Sequence, residues 1–118
     1  MVFVKKVLLG IAVLSSISFT SASAAPNKND ERDVLLALIT PSVSNALVGF
    51  YGSPKLYDLS DTKIVRIERQ ISGGYVFRMT VVVETFTGPH NPPYGRDTIT
   101  LMIDTGSVSV EKFEHTNI

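Results

Sequence analysis

The sequence predicts an α+β fold: an N-terminal helical hairpin or kinked helix packed on one face of a four-stranded antiparallel sheet. Three observations carry this. Apolar residues recur at helical spacing between Val34 and Phe50. From Ile64 onward the period changes to two, the signature of half-buried strands. Short turn signals, Gly73-Gly74 and Asp104-Thr105-Gly106, separate the alternating runs closely enough for hairpins.

The first residues set the expected compartment. MVFVKK is followed by the apolar VLLGIAVL and then by the small, polar SSISFTSASAAP. These are the three regions of a secretory signal peptide, with Ala22-Ser23-Ala24 as the cleavage pattern. The apolar core is shorter than the roughly 20 residues of a spanning helix. The expected organisation is therefore a signal peptide over 1–24, a flexible leader over 25–29 and a single domain over 30–118. The product is expected to be secreted, with no stable membrane span after cleavage.

Within that domain, Asn29 or Asp30 is expected to cap a helix with an acidic first turn at Glu31 and Asp33. Val34, Leu35, Leu38 and Ile39 mark its apolar side. Pro41 is expected to break or kink it near Thr40. A second helical segment then presents Val43, Leu47, Val48 and Phe50, and Gly52 ends it. GSPKLYDLSD reads as a linker. Ile64–Arg69 is the first predicted strand and Tyr75–Phe86 the second, with Phe77, Met79, Val81 and Val83 on one face. The third, Thr98–Ile103, turns Ile99, Leu101 and Ile103 inward. The last carries Val108 and Val110. Phe113 falls out of its alternation, and a bulge near Lys112 restores Phe113 to the core face.

Composition excludes several classes of function. The chain has no cysteine, so it forms no disulfide or zinc–thiolate site, does no thiol chemistry and carries no lipobox cysteine. Without Lys5 and Lys6, nine basic residues face eleven acidic ones. That balance lacks the basic footprint of a nucleic-acid binder and the polybasic patch of a membrane-surface binder. No serine sits in a nucleophile-elbow context, and no spacing of ligands calls for a metal or other cofactor.

The most particular stretch is TFTGPHNPPYGRDT, Thr85–Thr98. Its glycines permit sharp turns and its prolines stiffen the chain. Gly88–Gly95 is therefore read as a rigid loop. Rigid loops that display polar and aromatic groups lose little entropy on contact with a ligand. His90, Asn91 and Tyr94 are the binding candidates in it, with Tyr51 and Tyr57 as neighbours. The same prolines would also serve to protect a sheet edge. Should the protein be an enzyme, His90, Glu84 and Asp97 are the acid–base candidates.

The stretch VETFTGPHNPPYGRDTITLMI, with LLALITPSVSNALVGFYGSPKLYD and KIVRIERQISGGYVFRMTV upstream, resembles the domain of unknown function 3888 family. The resemblance spans about Asp33 to His115. Glu84, Thr85, Phe86, Gly88, His90 to Gly95, Asp97, Ile99 and Thr100 are its specific part. It implies a small exported protein of Bacillus-type Gram-positive bacteria, and it brings no catalytic residues. The expectation is a secreted binding module that acts on an unknown ligand at the cell envelope or in the medium. A small hydrolase of an envelope polymer is the first alternative. A non-catalytic protein that self-associates, as a weak homodimer, is the second.

Overall fold

The computed structural model describes residues 25–118. The signal-peptide reading lies outside the described residues. One helix, α1 (Lys28–Tyr51), is followed by five strands: β1 (Leu56–Tyr57), β2 (Lys63–Arg69), β3 (Phe77–Thr87), β4 (Asn91–Ile103) and β5 (Val108–Asn117). The architecture is α+β with an antiparallel sheet in the order β1-β3-β4-β5. β2 continues the β1 edge: β1 pairs with β3 at Thr85 and Phe86, and β2 pairs with it from Phe77 to Val82.

Three expectations about the helix change. It begins at Lys28, inside the stretch expected to be a leader. Its cap is Asn27, whose side chain accepts the backbone N–H of Asp30 at 2.7 Å. And it is one helix, not a hairpin, running through Pro41. The reason is where the proline points. Pro41 has no N–H, so the carbonyl of Ala37 loses its helical donor. Both residues lie on the exposed side, where water can replace the lost bond. One turn back, the Thr40 hydroxyl donates to the Leu36 carbonyl at 2.8 Å. Gly52 ends α1 as expected, in the left-handed conformation, with its N–H on the Val48 carbonyl at 2.8 Å.

The core is the interface of α1 with one sheet face. Leu36, Ile39, Val43 and Leu47 point down from the helix onto Met79, Val81, Val83, Ile99 and Leu101, and all nine are buried. By length and composition alone α1 would pass as a membrane span. Here its buried stripe makes it the core helix of the domain. The strand faces follow the alternation predicted from Met79 to Val83 and from Ile99 to Leu101. The opposite face is charged: Arg78 on β3 donates to both carboxylate oxygens of Glu111 on β5, at 2.9 and 3.1 Å.

The expected linker holds β1, the strand that raises the count from four to five. Leu56 and Tyr57 are too few for alternation to show. The bulge expected in the last strand is present. Thr100 pairs with Lys112 and Leu101 with Val110, so Glu111 is the extra residue. It returns Phe113 to the helix side, opposite Ile99.

Two outcomes test this packing. Leu47→Ala removes a side chain with no solvent contact, and is expected to cost about 2–5 kcal/mol in chemical denaturation. Pro41→Ala gives the Ala37 carbonyl a donor again, and is expected to raise the stability measured in the same way, by on the order of 1–3 kcal/mol.

Candidate functional site

The stretch read as a loop is mostly strand. Only Gly88, Pro89 and His90 separate β3 from β4, and Asn91 already pairs with Thr87. The ladder then skips: Thr85 pairs with Gly95, so the residues between Asn91 and Gly95 bulge outward against Phe86. Pro92 and Pro93 occupy that bulge, where no ladder donor is needed. Their peptide bond is cis. Gly88 and His90 both have positive φ, 51° and 60°. That costs glycine nothing, whereas His90 needs support from its surroundings.

The support is visible on every side of His90. Its ring stacks on Phe86, with centroids 3.9 Å apart and 15° between planes. Its Nε2 lies 3.3 Å from the Asp58 carboxylate. Its carbonyl accepts the Tyr94 hydroxyl at 2.7 Å, and its N–H reaches the Gly88 carbonyl at 2.9 Å. Lys55 fastens the hairpin from outside, donating to Thr87 Oγ1 at 2.9 Å and to the Pro93 carbonyl at 3.1 Å. A recess of about 160 Å³ opens here, lined by Asp58, Asp61, Glu84, Phe86, His90 and Tyr94. Asn91 lies exposed at the start of β4 and pairs with Thr87, outside the lining of this recess.

The other tyrosine candidates lie elsewhere in their roles. Tyr57 pairs across from Thr85 and packs against the core. Tyr51, at the end of α1, enters an internal polar cluster. Its hydroxyl donates to Asp97 Oδ2 at 2.7 Å and lies 3.2 Å from Thr85 Oγ1 and 3.1 Å from His115 Nδ1. Asp97 has no solvent contact, and its second oxygen holds His115 Nδ1 at 2.5 Å. His115 Nε2 meets Asn117 Oδ1 at 2.7 Å. Phe50 lies over the imidazole, with centroids 4.8 Å apart.

Both ring nitrogens of His115 thus face oxygen acceptors, which suits an imidazolium that donates twice. The hydrogen bond to Asp97, and after it the one to Asn117, raise the His115 pKa above its ordinary value. Burial, chiefly, raises that of Tyr51. A buried carboxylate is tolerable only when it is paired and hydrogen-bonded, as this one is. The cluster leaves no imidazole nitrogen free to act as a base on a substrate. It is a clamp joining α1, β3, β4 and β5.

The acid–base trio of the hydrolase alternative does not form one site. Asp97 pairs in register with Val83 and shares its helix-facing side, whereas Glu84 pairs with Arg96 on the opposite face. Glu84 instead makes a surface ion pair with Arg96 at 3.2 Å. Adjacent residues of a strand point to opposite faces. Among the described residues, no group of three or more His, Asp or Glu side chains is arranged to hold a metal ion. His115, Asn117 and Asp58 are not among the candidate residues that the sequence singles out. His115 was within reach of sequence reasoning, because the bulge at Glu111 carries the β4–β5 pairing on to Asp97 opposite His115.

Three outcomes check the clamp. A Cβ at Gly95 would lie 2.6 Å from the Tyr51 hydroxyl and 2.7 Å from Thr85 Oγ1. Gly95→Ala is therefore expected to destabilise the fold by about 1–3 kcal/mol. Asp97→Ala strands Tyr51 and His115, and is expected to cost about 3–5 kcal/mol. The His115 pKa is higher in the folded state than in the unfolded state. Its contribution to stability is thus complete below the ordinary histidine value of about 6.5 and fades as pH rises through the raised one. Melting temperatures of wild type and His115→Gln are expected to lie further apart at pH 5.5 than at pH 9.

No curated protein matches the chain, and no solved structure matches it. The family described as "Protein of unknown function (DUF3888)" matches residues 32–117. That span takes in almost all of α1, the whole sheet, the hairpin end around His90 and the Asp97–His115 clamp, and the chain belongs to this family.

Proposed function

We propose that this domain is an exported binding module acting at the cell envelope or in the medium, and that the β3–β4 hairpin end is its ligand-facing surface. One observation carries the reading: the end of this hairpin is exposed and yet braced by contacts on several sides. The His90 side chain is 63% exposed and Tyr94 is 41% exposed. Yet His90 is fixed by Phe86, Asp58 and the Tyr94 hydroxyl, and the backbone around it by Lys55. Surface side chains ordered before contact lose less entropy when a ligand binds. The recess beside them offers an aromatic wall from Phe86, His90 and Tyr94. It also offers carboxylates from Asp58, Asp61 and Glu84. Export is the reading that the basic, apolar and small-residue regions of the N-terminal stretch support.

The test is a titration of isotope-labelled protein with soluble peptidoglycan fragments, read by amide chemical shifts. Shifts are expected at Asp58 and from Thr87 to Gly95, and are expected to vanish in His90→Ala/Tyr94→Ala. Shifts confined to another surface, or none at all, would remove the hairpin end as the site for this ligand class.

A further inference from the structure

We infer that the outer face of α1 is a self-complementary interface on which a second copy of this chain docks antiparallel. The helix buries Leu36, Ile39, Val43 and Leu47 against its own sheet. Its other side is also apolar and is open to solvent: Val34 is 58%, Leu38 67% and Val48 41% exposed. No charged side chain occurs from Val34 to Tyr51. A helix facing water on one side ordinarily carries charge there, and one apolar all round is covered all round.

The residues of this face form one stripe along the helix. Val34, Leu38, Pro41, Asn45 and Val48 follow each other at intervals of four, three, four and three. Such a stripe has the width that a second packed helix can cover. Its polar complement points to a copy of itself. Pro41 leaves the Ala37 carbonyl without a helical donor, and Asn45, also exposed, carries an amide with donors to spare. Ala37 lies four residues before Pro41 and Asn45 four after it, each about 6 Å along the axis. A twofold axis through Pro41 therefore sets Asn45 of one copy opposite Ala37 of the other, twice, as an isologous contact requires. The same operation sets Val34 opposite Val48, and the large Leu38 opposite the small Ser44.

Charge selects this arrangement over its rivals. The first turn of α1 carries two acids, Asp30 and Glu31, against one base, Lys28, and so is net acidic. A parallel pair would bring the two acidic turns together, whereas the antiparallel pair separates them and opposes the helix dipoles. The same acidic turn, and the lack of any basic residue in the last turn, disfavour an anionic membrane surface as the occupant. Helices that lie on such surfaces are rich in lysine and arginine.

The chain is free of cysteine, so introduced thiols report proximity without background. Val34→Cys and Val48→Cys are made as full chains in an exporting bacterial host, singly and together, and cells plus medium are oxidised and run on non-reducing gels. A crosslinked dimer is expected only when the two variants are co-expressed. Sedimentation equilibrium of the purified wild type is expected to show a monomer–dimer equilibrium. Asn45→Asp replaces the donor with an acceptor at an exposed position, and is expected to weaken association at least about tenfold with an unchanged circular dichroism spectrum. Pro41→Ala is expected to weaken association while raising stability. The inference is overturned by a wild type that stays monomeric at all concentrations, by crosslinking of Val34→Cys alone, or by association that Asn45→Asp leaves intact. Sedimentation of monomeric protein with vesicles of phosphatidylglycerol and phosphatidylethanolamine would assign the face to a membrane instead.

Discussion

A carboxylate with no solvent contact constrains everything around it, and in this protein that carboxylate is Asp97. It is the one buried charged side chain among the described residues. An unpaired charge there would cost several kcal/mol, so the fold must deliver donors to both oxygens. One is the Tyr51 hydroxyl, which requires α1 to run its full length before Gly52 turns the chain away. The other is His115, which requires β5 to pair far enough along β4. Gly95 must stay without a side chain for these groups to meet. The length of the helix, the extent of the last hairpin and the glycine before Arg96 are three consequences of one buried charge.

The same requirement accounts for the bulge at Glu111. Without it, the alternation of Val108 and Val110 would carry Phe113 and His115 to the charged face of the sheet. One inserted residue moves every later side chain to the other face. The bulge thus serves apolar packing and polar pairing together. Phe113 reaches the core beside Phe50, and His115 reaches Asp97. Glu111, the extra residue, is not idle either. It turns to the opposite face and takes both donors of Arg78 across the sheet.

Much of this was legible in the chain. The period-two runs after Ile64 located the long strands. The turn residues located their hairpins, and the displaced Phe113 located the bulge. What failed, failed for identifiable reasons. Pro41 was read through its local preference for ending helices, but tertiary packing overrides that preference when the lost hydrogen bond faces water and the flanking turns are buried on the far side. β1 has two residues, below the length at which alternation exists. The Gly88–Gly95 stretch was read as a loop because its composition is that of one. A bulge can absorb prolines while the strand continues around them, and composition alone does not distinguish the two. Asp97 stood beside His90 and Glu84 as an acid–base candidate because its actual partner, His115, lies distant in sequence, and only the register of the last hairpin brings the two together.

The clamp and the hairpin end are parts of one mechanical unit, and Thr85 joins them. Its hydroxyl lies within the polar cluster, 3.2 Å from that of Tyr51 and donating to the Gly95 carbonyl at 3.4 Å. Its neighbours in β3, Glu84 and Phe86, line the recess beside His90. Lys55 spans the same gap from outside, over the ring of Tyr51 on one side and bonded to Pro93 and Thr87 on the other. Exposed hairpin ends are ordinarily among the least stable parts of a domain, because few buried contacts hold them. Here the ladder rows next to the turn are tied to the Asp97–His115 pair and to the end of the core helix. The hairpin end around His90 is therefore joined to the core through β3 and β4. A domain of this size, lacking disulfides, has few other means of holding an exposed hairpin end in place.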